Sequence, residues 1–172
     1  MFKIFGLLLI LGGATGIGVL YGEMMRNRIE QLKDIYKSVL FMENEISYLY
    51  TPLPEVFELL GNKASEPFKS IYSRISELLV KREVDEVSIA FQKAINENRD
   101  KLYLNDEDIK LIKDFMKNIG EGDVEREVSI MKYTKEVIRK KIEDVEKDNY
   151  IKIKLYRTMG FSIGAVIAII FI

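Results

Sequence analysis

The chain has no cysteine and no histidine. The first absence excludes disulfides, thiol nucleophiles and Cys-ligated zinc or iron–sulfur centres. The second removes the commonest general base and a principal metal ligand. Prolines are confined to Pro52, Pro54 and Pro67, and neither strand-like alternation nor an internal repeat is present. Charge of one sign is not in excess either: 26 basic against 27 acidic residues leave a net charge of −1. No block of like charge offers a nucleic-acid groove, so nucleic acid is not an expected partner.

Charge is also missing from long runs at both ends. Residues 4–22 carry no formal charge and are rich in Leu, Ile and Gly; as a helix they cover about 28 Å, enough for a hydrocarbon core. Residues 158–172 form a second uncharged run, about 22 Å long as a helix against a core roughly 30 Å thick. Ile151, Ile153, Leu155 and Tyr156 extend it if Lys152, Lys154 and Arg157 carry their charges back to the interface. A cleaved signal peptide fits the first run poorly, because no clear A-x-A site is present. A buried core helix fits the second poorly, since a segment apolar on every face is hard to cover in a domain this small. The expectation is a transmembrane helix in 1–22, a helical domain in 23–157 and a second transmembrane helix in 158–172.

Orientation follows from the cations, because short flanks rich in Lys and Arg stay on the cytoplasmic side. Of the 26 Lys and Arg residues only Lys3 lies outside the middle. The middle is therefore expected to be cytoplasmic, and the protein a two-pass membrane protein.

Within the middle the apolar spacing is helical. Leu32, Ile35, Val39, Met42, Ile46 and Leu49 recur in steps of three and four, one stripe along a helix that can continue from the first span. Pro52 and Pro54 break it, and Pro54 opens a short helix that Gly61 and Asn62 end. Phe68, Ile71, Tyr72, Ile75, Leu78 and Leu79 mark a third helix, with Ser65 as its N-cap and Pro67 in its first turn. Val84, Val87, Phe91 and Ala94 mark a fourth, after the charged joint Lys81, Arg82 and Glu83. A fifth begins at an Asn105 cap followed by Asp106, Glu107 and Asp108, carries Ile109, Ile112, Met116 and Ile119, and stops at Gly120. Asp123 caps a long sixth helix whose Val124, Val128, Met131, Ile138, Ile142 and Val145 have the spacing of a seam. The reading is all-α: a membrane-anchored bundle of about six helices, the first and last long and continuing into the spans.

Machinery for chemistry is absent. Glu43 and Glu45 near Asp34 suggest carboxylate-bridged metals, yet such helical sites use Glu-x-x-His pairs and no histidine exists. Gly120 to Asp123 lacks the Lys-Ser/Thr of a phosphate-binding loop, and Ser, Thr and Tyr stand without a base. No enzyme activity, cofactor or metal is expected. Glycines are frequent in the apolar ends: Gly12 with Gly16, Gly18 with Gly22, and Gly160 with Gly164 each set two small residues one turn apart, where another helix can approach, which allows a homo-oligomer or packing on other membrane subunits.

The order Glu43, Asn44, Glu45, Ile46, Ser47, Tyr48, then Thr51, Pro52, Leu53, resembles the E-x-E-I-x-Y…T-P-L signature of the stage III sporulation protein AB family. Ile119, Gly120 and Asp123 resemble its L-G-x-x-D element, and Gly160 with Gly164 fit its tail, so the resemblance covers the whole chain. The chain departs at Glu127, where the family pattern has Gln four residues after the Asp; that position is expected on an exposed helical turn. The family is similar to F-type platform proteins of type II secretion and type IV pilus machines. The resemblance implies a non-catalytic scaffold in the mother-cell membrane around the forespore, a subunit of a secretion-like channel complex, linking the cytoplasmic AA-type ATPase of stage III sporulation to other membrane subunits. The partner-binding candidates are Glu43, Glu45, Tyr48, Thr51, Pro52 and Leu53 at the proline corner and Gly120 and Asp123 at the later turn, the acids complementing a basic partner face. The competing reading is a generic two-span helical adaptor or sensor that binds another cytoplasmic protein.

Overall fold

The computed structural model describes the backbone of residues 2–120 and 122–171 and the side chains of residues 22–120, 122–148 and 150. Six α-helices and one 3-10 turn make up the secondary structure of the described residues, with no strand among them. They are α1 (Phe2–Leu49), α2 (Leu53–Lys63), α3 (Phe68–Val80), α4 (Val87–Glu97), the turn Arg99–Lys101, α5 (Asp106–Asn118) and α6 (Val124–Phe171). Each helix packs on its chain neighbours, and α6 closes the ring on α1 in the most extensive contact of the bundle. The helices alternate in direction, so the turns after α1, α3 and α5 share one end, hereafter the tip.

The two long helices are 48 residues each, about 72 Å. Their pairing hides two apolar stripes that neither helix alone could cover. Leu32, Ile35, Val39, Met42 and Ile46 of α1 are buried, as are Met131, Ile138, Ile142 and Val145 of α6. Val128 is only half-buried, and its place in the seam is taken by Glu127 and Thr134, which are buried. Leu49, expected to end the α1 stripe, lies beyond the last covered turn and is exposed.

Three helix boundaries differ from the sequence expectation. Gly61 does not end α2, which runs on to Lys63. It is a packing glycine: a Cβ there would lie 2.5 Å from Ser73 Oγ and 3.1 Å from Ser73 N, so α2 and α3 approach through it. Pro67 and not Ser65 occupies the N-cap of α3, although the Ser65 carbonyl still accepts from Lys69 N at 3.0 Å. Helix α4 begins at Val87, with Val84 packed against the core just ahead of it. The charged joint before it is a Schellman turn: Arg82, φ 53°, donates its N–H to the Leu79 carbonyl, and Glu83 donates to that of Leu78.

Opposite the tip, side chains lock the lower loops onto the long helices. The Gln31 amide donates to the Lys101 carbonyl at 3.0 Å and accepts from Tyr103 N at 2.8 Å, holding an extended segment against α1. Asn105 and Asp108 form a reciprocal capping box at the start of α5. Asp108, fully buried, also receives Arg28 of α1 in a two-pronged bond of 2.7 and 2.9 Å. Tyr72 lies buried between Phe57 and Phe68; burial pushes its phenol up, against an opposing hydrogen bond with Ser38.

Beside Asp108, Lys141 of α6 reaches Glu107 at 2.8 Å. This hydrogen bond and the ammonium charge hold the exposed Glu107 carboxyl below its ordinary value of 4.5. A depressed carboxylate contributes stability that is complete above the unfolded value and is lost as pH falls through the folded one. An NMR pH titration should place the Glu107 midpoint below 4.5, and Lys141→Ala should return it upward; an unmoved midpoint would remove the bond.

The expected membrane spans, 4–22 and 158–172, lie outside the residues whose side chains are described, apart from Gly22. Among the described residues no helix is long and apolar enough to cross a membrane.

Candidate interaction surface

The corner between α1 and α2 and the turn between α5 and α6 come together at the tip. Gly120 brings them there. Its φ of 92° is a left-handed conformation that suits glycine, and a Cβ on it would lie 3.1 Å from Leu53 Cδ1 and 3.7 Å from Val87 Cγ2. Its N–H donates to Glu127 Oε1 at 3.0 Å. Asp123 caps α6, with Oδ1 accepting from Arg126 N at 2.8 Å. A side chain at position 120 would be strained by this backbone conformation and would press on the Leu53 methyl.

The acids of the proline corner are occupied. Glu43 is turned into the α1–α6 seam and ion-paired with Lys135 of α6. It is not the free surface acid that the sequence suggested, because the α1 stripe rotates it inward beside Met42. A Glu43→Lys change would set two cations together inside the bundle. Glu45 holds the corner itself: Oε2 accepts from Thr51 Oγ1 at 3.0 Å, and its carbonyl accepts from Thr51 N at 3.2 Å. Leu53 packs partly against the core, and the Pro52 carbonyl accepts from Glu55 and Val56 at the start of α2. Of the partner-binding candidates at this corner only Tyr48 and Pro52 are exposed, with Asn44 of the same motif exposed beside them. Much of the motif is thus spent on building the corner.

Glu127 is also corrected. The position is buried, not exposed, and its carboxylate serves as the acceptor for Gly120 N–H. A glutamine at this position would offer a carbonyl oxygen to the same N–H, so the departure from the pattern keeps an acceptor in place. Sequence reasoning missed this acceptor, the inward turn of Glu43 and the buried Arg28–Asp108 pair. The signal available was position: each falls on the three-four spacing of a seam. Of the glycines singled out for membrane packing, Gly22 has open space around it; Gly12, Gly16, Gly18, Gly160 and Gly164 lie outside the residues whose surroundings are described. No group of three or more acids able to hold a metal occurs among the described residues.

Fold and surface define an all-helical protein: a closed ring of six antiparallel helices, two of them much longer than the rest, with paired corners at one end. The chain belongs to the stage III sporulation protein AB family, whose model matches residues 3–172. That is a family of sporulation proteins and not a known enzyme family. The chain is similar to stage III sporulation protein AB of Bacillus subtilis (strain 168), 21% identical over 170 residues that cover 99% of each chain. A solved structure of a stage III sporulation protein AB shares the fold, with a TM-score of 0.65 and 21% identity over 72% of this chain and 97% of the other.

Proposed function

We propose that this protein is a non-catalytic membrane platform, carried by spans at 4–22 and 158–172, with residues 23–157 in the cytoplasm. In this role it links the AA-type ATPase of stage III sporulation to the membrane subunits of a secretion-like channel complex between mother cell and forespore.

The register of the two long helices supports the reading most directly. Lys33 of α1 pairs with Glu146 of α6 at 2.8 Å. Counting down the sequence from Lys33, the first apolar segment begins at Gly22, eleven residues away; from Glu146 the second begins at Thr158, twelve away. Both helices thus meet their apolar segments at one level, about 17 Å below the ion pair. One membrane surface can cut both chains there when the shortfall of the second run, about 22 Å against roughly 30 Å, is met by local thinning of the bilayer and not by Ile151 to Tyr156. A bundle with unrelated ends has no reason to match these heights, whereas a two-span platform needs them matched.

The absence of cysteine makes the test clean, since an introduced thiol is the sole one. Lys93 is exposed on α4. In intact vegetative cells made to produce the protein in the plasma membrane, whose outer face meets the medium, a membrane-impermeant maleimide should leave full-length Lys93→Cys unlabelled and should label it after permeabilisation. Labelling in intact cells would overturn the orientation.

A further inference from the structure

We infer that the exposed run Tyr48-Leu49-Tyr50 at the tip is the anchor on which a soluble protein docks, one presenting an apolar pocket rimmed by lysine or arginine. This deepens the platform reading and rests on it for the direction in which the tip points. Exposures are 78% for Tyr48, 67% for Leu49 and 71% for Tyr50. The other exposed large hydrophobics of the described residues stand singly along the chain, and single ones are ordinary on any surface. Three in succession, two of them tyrosine, are the composition of an interface anchor.

The backbone reinforces this. Tyr50 has φ 55°, a left-handed conformation that disfavours a bulky side chain and is easily taken by Asn or Gly. Fold stability alone would favour a smaller residue. The corner below it is fixed by Glu45, Thr51 and the Gly120 turn, so the anchor is presented on a rigid support.

Charge and height select the occupant. Seven exposed acids stand at the tip, Glu55 and Glu58 on α2, Glu83, Asp85 and Glu86 ahead of α4, and Asp123 and Glu125 at the start of α6, against the four exposed bases Lys81, Arg82, Lys117 and Arg126. Acids at helix N-termini also suit the helix dipole, so the aromatic run carries the inference and the acids set the complementary sign of the partner. Leu49 stands twenty-seven residues beyond Gly22 on α1, about 40 Å away. That is out of reach of lipid, and a second copy in the same membrane points its own tip the same way.

The test places the photo-crosslinker p-benzoylphenylalanine at position 50, and separately at exposed Tyr133 and Tyr150 as controls, in the full-length protein in sporulating cells. Expected is an adduct at 50 with one soluble protein, absent from the controls. In a Tyr48→Ser, Leu49→Ser background that adduct should fall about tenfold or more, the loss expected when hot-spot side chains are removed. The melting temperature should be unchanged, since both residues are exposed. The docking assignment is overturned by no adduct at 50, by an adduct with a second copy or an integral membrane protein, or by a yield indifferent to the double substitution. An adduct that meets these criteria on a soluble protein other than the AA-type ATPase upholds the anchor and removes the ATPase from the platform reading.

Discussion

Ile138→Asp is expected to destabilise the bundle by about 4 kcal/mol or more, the range reached when an unpaired charge is placed in a core. Ile138 is fully buried in the middle of the α1–α6 seam. The carboxylate would face the α1 stripe of Val39 and Met42 in a helix pair whose contact dominates the fold. At roughly 2–4 °C per kcal/mol for a chain of this size, the melt should move down by about 10 °C. Circular dichroism of the full-length protein in detergent reads this directly. Tyr133→Asp, an exposed change on the same helix, is the control and should stay within about 0.5 kcal/mol. A melt indifferent to Ile138→Asp would mean that the two long helices do not pair as described.

Asp108→Ala should be nearly as damaging, at about 3 kcal/mol or more, for a different reason. Its carboxylate takes two bonds from Arg28 and one from Asn105 N, with Lys141 3.9 Å from its other oxygen. Removing it deprives a guanidinium that is 13% exposed of its bidentate partner and takes away the carboxylate half of the α5 capping box, while Asn105 Oδ1 still accepts from the N–H of residue 108. The diagnostic is the pair. Asp108→Leu combined with Arg28→Met removes both charges and should recover a good part of the loss, whereas the same Leu beside an intact Arg28 should not. Equal losses in the two backgrounds would show that the ion pair contributes nothing and that the cap alone matters.

The helices were legible because burial in this protein follows a simple period. Val39, Met42, Met131 and Ile138 lie where the three-four spacing puts them, and Asn105, Gly120 and Asp123 end or begin helices by local chemistry that needs no tertiary context. Gly61 was misread because glycine has two uses: the sequence shows the missing side chain but not Ser73 pressing against it. Polar members of the seams were misread likewise. Glu43 and Glu127 look like surface acids until the fold supplies Lys135 and Gly120 N–H, and Asp108 looks like one of three acids at a helix start until the fold supplies Arg28. At the tip the motif was visible as a string, but its division into corner-building residues and an outward aromatic run depends on how far α1 turns before Thr51 is caught by Glu45.

The ring closure of α6 on α1 sets an order of assembly. Glu43 and Lys135 are 92 positions apart, and at roughly 5–20 residues per second the ribosome needs about 5–18 s to make the chain between them. Through that interval α1 is complete, yet Leu32, Ile35, Val39 and Met42 have no α6 to cover them. A nascent chain holding five of the six helices remains an open ring with a bare apolar stripe. Truncation before Met131 should therefore yield a protein that is captured by chaperones or degraded, even though nearly all of its local helix signals are intact.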